Sequence, residues 1–250
     1  MIVIDGRTNA EYLRFRAFTD IPKGGGVFVA TGDINRDGFA DVIVGTQGAR
    51  AAQVMVVSGR RGEVLGRFMP FGNGKPVRVA ARVAGGDVDG DGFADVIVAS
   101  GVGIKPRAEV YSGLLLTRAA ASARIAAFAL SATPGGAWTG NGAFVAAADM
   151  NGDGKAEIIA SFNGRPLLSV VDGLSGNVLS SVNLNTLPGV GTAFAQGPRI
   201  AARAGRIAIV SGAGVAPTLR ILAFKALAWS VEPLTQPRLG ATGTSGLFIG

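Results

Sequence analysis

The sequence predicts an all-β fold built of repeated four-stranded antiparallel sheets, and three observations predict it. A nine-residue acidic pattern occurs three times in one register, as DINRDGFAD at 33–41, DVDGDGFAD at 87–95 and DMNGDGKAE at 149–157. Each copy runs directly into an apolar segment, DVIVG, DVIVAS or EIIAS, rich in the β-branched residues of buried strands. The copies recur 54 residues apart from Asp33 to Asp87 and 62 apart from Asp87 to Asp149. That period belongs to propellers or solenoids, whose units bury their faces only by stacking on one another.

The acidic pattern carries the donors of a calcium loop. Positions 1, 3 and 5 offer side-chain oxygens from Asp33, Asn35 and Asp37, from Asp87, Asp89 and Asp91, and from Asp149, Asn151 and Asp153. Position 7 (Phe39, Phe93, Lys155) can offer a backbone carbonyl, and position 9 adds Asp41, Asp95 or Glu157. Calcium takes six to eight such oxygens at roughly 2.3–2.6 Å. A short loop surrounds the ion only by bending sharply, and Gly38, Gly92 and Gly154 at position 6 permit the bend because no Cβ opposes a positive φ. Asp, Asn and Gly also suit turns that hold no metal. A turn, however, requires no acid at positions 1, 5 and 9, and such clusters repel themselves without a cation. Calcium at three sites is therefore the expected cofactor. Unlike an EF-hand, the pattern has no bidentate Glu at position 12; Val44, Val98 and Ala160 stand there, inside the apolar runs.

The elements follow in order along the chain. Residues 1–18 form a partial unit: VIDGRTNAEYLRFRAF (3–18) aligns without a gap on VVSGRRGEVLGRFMPF (56–71) and so supplies a unit's last two strands. The first complete unit, 19–71, reads GGVFVATGD, the acidic loop, DVIVGTQGARA, AQVMVVSGRRG and EVLGRFMPF, four strand-like segments parted by turn residues. The second, 72–131, runs PVRVAARVAGGD, loop, DVIVASGVGIKPRA and EVYSG, then an Ala-rich ending. The stretch 114–132 suits a strand or, by propensity, a helical insertion. The third unit, 132–184, reads GAFVAAAD, loop, EIIASFNGRP, LLSVVDGLSGN and VLSSVNL. In the fourth, 185–234, GPRIAARAGRIAIVSGAGVAPTLRILAF matches PVRVAARVA and then DVIVASGVGIKPRAEVYS, with Arg206 in the place of Asp95. Its acidic segment is deleted, so a short hairpin without metal is expected. Residues 235–250 form a second partial unit, in which GLFIG at 246–250 resembles GVFVA at 26–30, a first strand alone.

Residues 1–250 thus read as a single domain of four whole units flanked by two partial ones. If the ends meet, they make a composite fifth blade lacking its second strand. Closure removes exposed sheet edges, so a five-bladed ring is expected in preference to a slice of a longer array.

Composition narrows the chemistry. With 39 Gly, 48% hydrophobic and 16% charged residues, the chain has the balance of a folded, turn-rich protein. It has no cysteine and no histidine, which removes disulfides, thiol chemistry, the commonest general base and imidazole zinc ligands. Glu109 and Glu232 are the only spare glutamates in strand-like surroundings, neither with a recognisable catalytic partner in sequence, so no catalytic residue is assigned. The chain opens on no basic segment followed by an apolar one, so no secretory leader is read from it. The most apolar stretch, 114–132, is broken by Arg118 and Arg124, and no membrane span is expected. Ten of the 17 acids lie in the three loops, and one divalent ion in each would raise the formal charge from +7 to +13. The remaining basic surface favours anionic partners, although an arginine-rich composition alone produces the same balance.

The segments DxNxDGxxDVIVG and DxDGDGxxDVIVAS, each followed by a V-x-DG or V-x-SG hairpin, resemble the FG-GAP or VCBS repeats of integrin-alpha-type β-propellers. The phrasing VIDGRTN and RVAARVAGGDVDGDGFADVIVASG is similar to repeats of secreted or surface proteins of bacteria. The resemblance implies four-stranded antiparallel blades, calcium in the loop between the first and second strands, and an extracellular role in adhesion or ligand binding. It places Asp33, Asn35, Asp37 and Asp41, with their counterparts in the next two units, as ligands. Alternating strand direction then puts the calcium loops on one face and the loops between the second and third strands on the other. Those loops carry Gln47 and Arg50, Lys105 and Arg107, and Asn163 and Arg165, a prospective basic arc to which Trp138 in a connection between blades adds an aromatic. The expected function is an extracellular ligand-binding or adhesion module with structural calcium, its partner an anionic glycan or a protein; nucleic acid is not favoured, and oligomeric state is left open. A polysaccharide-acting enzyme on such a scaffold and a purely structural or engineered repeat assembly are the alternatives.

Overall fold

The structure, a computed structural model, describes residues 1–48, 51–118, 122–131, 142–190, 192–212 and 215–232. The apolar runs are second strands, and each lies inside a four-stranded antiparallel sheet. The first blade has the order β3 (Gly26–Gly32), β4 (Asp41–Gln47), β5 (Val54–Val57), β6 (Val64–Phe68). The second contains β7 (Ala81–Gly86), β8 (Asp95–Ser100), β9 (Arg107–Tyr111) and β10 (Arg124–Ala129), and the third β11 (Ala143–Ala148), β12 (Glu157–Phe162), β13 (Leu167–Val171) and β14 (Val178–Asn183). The fourth holds β15 (Arg199–Arg203), β16 (Arg206–Val210), β17 (Leu219–Lys225) and β18 (Ala228–Glu232). All pairings within these blades are antiparallel and sequential. The innermost strands pack β3 on β7, β7 on β11 and β11 on β15, and all four line one central channel. The architecture is a β-propeller.

Stacking of blades explains why the second strands read as unbroken apolar runs. Successive residues of a strand point to opposite faces of its sheet, and here a neighbouring blade covers each face. On β8, Val96 and Val98 join the core shared with the first blade, while Ile97 and Ala99 join the core shared with the third. On β12, Ile158 and Ala160 face the second blade and Ile159 faces the fourth. The outer strands have no such double cover, and β6 has only exposed and half-buried residues.

The N-terminal partial unit is a two-stranded hairpin, β1 (Ile2–Ile4) paired with β2 (Glu11–Arg14). Its Val3 and Leu13 pack with Val42, Val44 and Met55 on the side of the first blade away from the second. The strand expected at 246–250 to complete a fifth blade lies outside the described residues. The Ala-rich ending of the second unit proves to be both things its composition allowed. A five-residue helix, α1 (Gly113–Thr117), capped by the Ser112 hydroxyl, sits in the hairpin between β9 and β10, and β10 supplies the fourth strand.

The fourth unit has the short hairpin its deletion predicts. Arg203 pairs with Arg206, and Ala204 (φ 38°) and Gly205 (φ 74°) make the two-residue turn between β15 and β16. Both turn residues have positive φ, as the twist of a tight hairpin requires. The register corrects one detail of the sequence match. Arg199 pairs with Val210 and Arg82 with Ala99, one residue before Ser211 and Ser100 at the matching ends of their strands. Arg199, and not Arg203, is therefore the counterpart of Arg82.

Close approach between blades is set by small residues. A Cβ on Gly45 of β4 would collide with the Ala81 carbonyl oxygen and lie 2.9 Å from Val83 Cγ1. The backbone dihedral at Gly45 is one any residue adopts, so the cost of a side chain there is steric. Gly45→Ala should lower the unfolding free energy by about 1–3 kcal/mol, read from urea denaturation; an unchanged midpoint would mean the blades separate without cost.

Candidate metal centres

Each acidic loop joins the first and second strands of its blade, and its residues hold one another through backbone hydrogen bonds. Position 1 accepts from the two bends of the loop. Asp33 takes the N–H of Asp37 (3.0 Å) and Gly38 (2.9 Å), Asp87 those of Gly90 (2.7 Å) and Gly92 (2.8 Å), and Asp149 those of Gly152 (2.6 Å) and Gly154 (3.0 Å). Positions 3 and 5 repeat the motif on a shorter span, with Asp89 accepting from Asp91 (3.1 Å) and Asp91 from Phe93 (2.8 Å). Two residues per loop adopt the left-handed conformation. Position 6 is the expected glycine, with φ of 85°, 84° and 85° at Gly38, Gly92 and Gly154. Position 4 is the second, filled by Arg36 (φ 57°), Gly90 (81°) and Gly152 (85°).

Position 9 differs from the others because it is buried. Asp41 and Asp95 are 0% exposed and Glu157 is 3% exposed. Asp41 accepts the Ile34 N–H (2.9 Å) on one oxygen and the Gly59 N–H (3.0 Å) on the other. Asp95 takes Val88 (2.9 Å) and Gly113 (3.1 Å) in the same way. Glu157 takes the Met150 N–H (2.7 Å) and the Asn151 side-chain amide (2.9 Å). A buried carboxylate is tolerated when hydrogen-bonded, and these bonds also fix geometry. In the first two loops they tie the acidic loop to the turn after the third strand of the same blade, whereas both donors to Glu157 lie within its own loop. The Ser-Gly pairs at 58–59 and 112–113 are the sequence signal for these donors, and a Cβ on either glycine would strike the carbonyl of Ala40 or Ala94.

Neighbouring loops are also joined. The Ala94 N–H donates to the Asp33 carbonyl (2.9 Å), and the Ala156 N–H to the Asp87 carbonyl (2.6 Å). Position 8 of one loop thus bonds position 1 of the loop before it. Arg36 reaches across as well, its Nη1 3.4 Å from the Asp91 carbonyl and its guanidinium 5.6 Å from the Phe93 ring centroid.

The oxygens converge most closely in the second loop. Ligand atoms of Asp87, Asp89 and Asp95 lie within 4.8 Å of one another. Burial pushes Asp95 up to about 7, with the charges of Asp89 and Asp91 adding to the shift. Asp41, Asp89 and Glu157 are also raised, each chiefly by burial. At Asp149 burial acts to raise the carboxyl, but the N–H bonds from Gly152, Gly154, Asn151 and Asp153 together outweigh it and lower it. The donors are all oxygen, the hard ligand set that suits calcium or magnesium and not zinc.

The FG-GAP repeat family model matches residues 25–64 and 79–113. Those two segments are FG-GAP repeats. The third acidic loop lies outside both matched segments, yet its position 1 accepts from Gly152 and Gly154 and its position 9 from the N–H of the loop's second residue, as in the second loop. No curated protein sequence matches the chain. Among solved structures it is similar to an exotype rhamnogalacturonan lyase, YesX, at 17% identity and TM-score 0.42 over 78% of this chain and 41% of that one. It is also similar to the rhamnogalacturonan lyase PL11 of Bacillus licheniformis (15%, TM-score 0.43, 83% and 51%) and to U3-55K (11%, TM-score 0.47, 82% and 51%). The chain spans about half or less of the length of these proteins.

On the face opposite the FG-GAP loops, the structure exposes Gln47, Lys105 and Arg165 and leaves Asn163 half-buried. Arg107 is committed elsewhere: its Nη2 lies 2.9 Å from Oε1 of Glu109. Arg50 and Trp138 lie outside the described residues. Glu109 is fully buried and accepts from Arg107, Arg124 (3.2 Å), the Tyr111 hydroxyl (2.7 Å) and the Phe71 N–H (2.9 Å). This acid fastens the end of the first repeat to the second blade. Glu232 pairs with Arg206 at 2.9 Å.

The raised carboxylates give the FG-GAP loops a pH signature. Between about 4 and about 7 the folded state retains a proton on Asp95 that the unfolded chain has released, so stability without a divalent cation falls as pH rises through that window. In EGTA the melting temperature should be lower at pH 8 than at pH 5.5, and Asp95→Asn should flatten the difference. Equal slopes in the parent protein and the variant would contradict this.

Proposed function

We propose that the protein is a calcium-stabilised propeller module that binds an extracellular ligand, with calcium in a structural role. The observation that carries the metal assignment is the convergence of Asp87, Asp89 and Asp95 within 4.8 Å, flanked by two loops with acids at the same positions 1, 5 and 9. The loop residues fit the ion: positions 1, 3, 5 and 9 supply hard oxygens, and their mutual repulsion is the cost that a divalent charge removes. When bound, calcium would neutralise these carboxylates and pin the turn between the first and second strands. Asp33, Asn35, Asp37 and Asp41 would hold the first ion, Asp87, Asp89, Asp91 and Asp95 the second, and Asp149, Asn151, Asp153 and Glu157 the third. The carbonyls of Phe39, Phe93 and Lys155 would complete the sets.

An extracellular setting fits sites of this kind, because exposed modules commonly bind calcium at about 10⁻⁴ to 10⁻³ M. Among the described residues no helix is long and apolar enough to cross a membrane. The exposed Gln47, Lys105 and Arg165 on the face away from the loops support a partner with negative charge, an anionic glycan or an acidic protein surface. Salt should weaken that contact.

Removal of calcium tests the reading. At ten times its dissociation constant each ion would contribute about 1.4 kcal/mol, so EGTA should lower the melting temperature by several degrees. Replacing Asp37, Asp91 and Asp153 together by Asn should abolish the response to EGTA. A melting curve that ignores both calcium and chelator would remove the metal from the account.

A further inference from the structure

The central channel holds a layer of side chains that neither the loops nor the exposed basic residues explain. Phe28, Arg82 and Phe144 each stand five residues before the first aspartate of a loop. Arg199 occupies the same level on β15, because Phe28, Arg82, Phe144 and Arg199 pair with Gly45, Ala99, Ser161 and Val210 of the second strands. The inner strands of successive blades thus present Phe, Arg, Phe and Arg to one cavity of about 220 Å³. The two rings meet edge to face with centroids 6.3 Å apart. Both guanidiniums lie against Phe144, Arg82 at 3.7 Å and Arg199 at 5.2 Å from its centroid.

Arg82 is only 7% exposed, and its Nε and Nη1 have no hydrogen-bond partner. None of the ion pairs among the described residues involves it. Aromatic contact offsets part of the cost of burying this charge, but leaves N–H donors unsatisfied, which is expensive in an interior. Arg199 adds a second positive charge beside it, and burial together with that charge pulls Arg82 down to about 10. Beyond this layer the cavity wall is Val, Ala, Ile and Gly, with Thr31 the single polar side chain. An acceptor for Arg82 is missing from the described residues, while space for one lies alongside.

We propose that this channel is a binding site for a small organic carboxylate. The carboxylate would take the fork of Arg82, since a planar guanidinium matches two parallel oxygens, and would separate the two like charges. The phenyl rings and the aliphatic wall would hold the apolar body of the ligand. The site is independent of calcium in the loops, so its test is run both with calcium and with EGTA.

The experiment is a calorimetric titration of the full chain with sodium benzoate, sodium acetate and sodium phosphate at constant ionic strength, with melting temperature followed in parallel. Benzoate should bind saturably at one site per chain, tighter than acetate or phosphate, and raise the melting temperature. Arg82→Met should bind at least tenfold more weakly while melting no lower than the parent protein in the absence of ligand, because it removes an unpartnered charge. Should that variant fail to fold, Arg199→Gln serves, with weakened benzoate binding expected again. Absence of saturable binding to the parent protein, tighter binding of phosphate than of benzoate, or undiminished binding by the folded variants would overturn the proposal.

Discussion

A carboxylate buried at the first residue of the second strand governs the loop face of this propeller. Asp41 and Asp95 lie wholly inside, and their oxygens are filled by N–H groups from two different turns of the same blade. Each hairpin end is thereby locked to the next. The remaining acids of each loop then have nowhere to go but toward one another. Their crowding is the repulsion a cation would relieve; Asp95 is raised chiefly by burial, and the charges of Asp89 and Asp91 add to it.

From that anchor the ring is assembled by short links. The carbonyls of Asp33 and Asp87 each accept an N–H from the following loop, so the three acidic loops form a chain of contacts around one face. Beneath them, the second strands of the first three blades, covered on both sides, are buried along nearly their whole length. Toward the opposite face the inner strands change character. Small residues bring the backbones together, and Phe28, Arg82, Phe144 and Arg199 line the central channel.

Much of this was legible in the sequence because the repeat is a ruler. Spacing alone located the loops, the four strands of each unit and the hairpin that replaces the loop at Ala204 and Gly205. What escaped depends on residues one repeat apart. Nothing adjacent in sequence reveals that the Ala94 N–H reaches Asp33, or that Glu109 gathers Arg107 and Arg124 and thereby takes Arg107 out of the expected basic arc. A deletion beside a repeated PRIAAR-like phrase permits two registers for the fourth unit, and only strand pairing selects the one that sets Arg199 level with Arg82. The Phe-Arg-Phe alternation before the loops was visible in principle, but its meaning required a channel.

Calcium stoichiometry tests the central claim most directly. Native mass spectrometry of purified protein equilibrated with millimolar calcium should show three ions on each chain, released by EGTA. A chain that carries no calcium under those conditions would contradict the assignment of the acidic loops as metal centres.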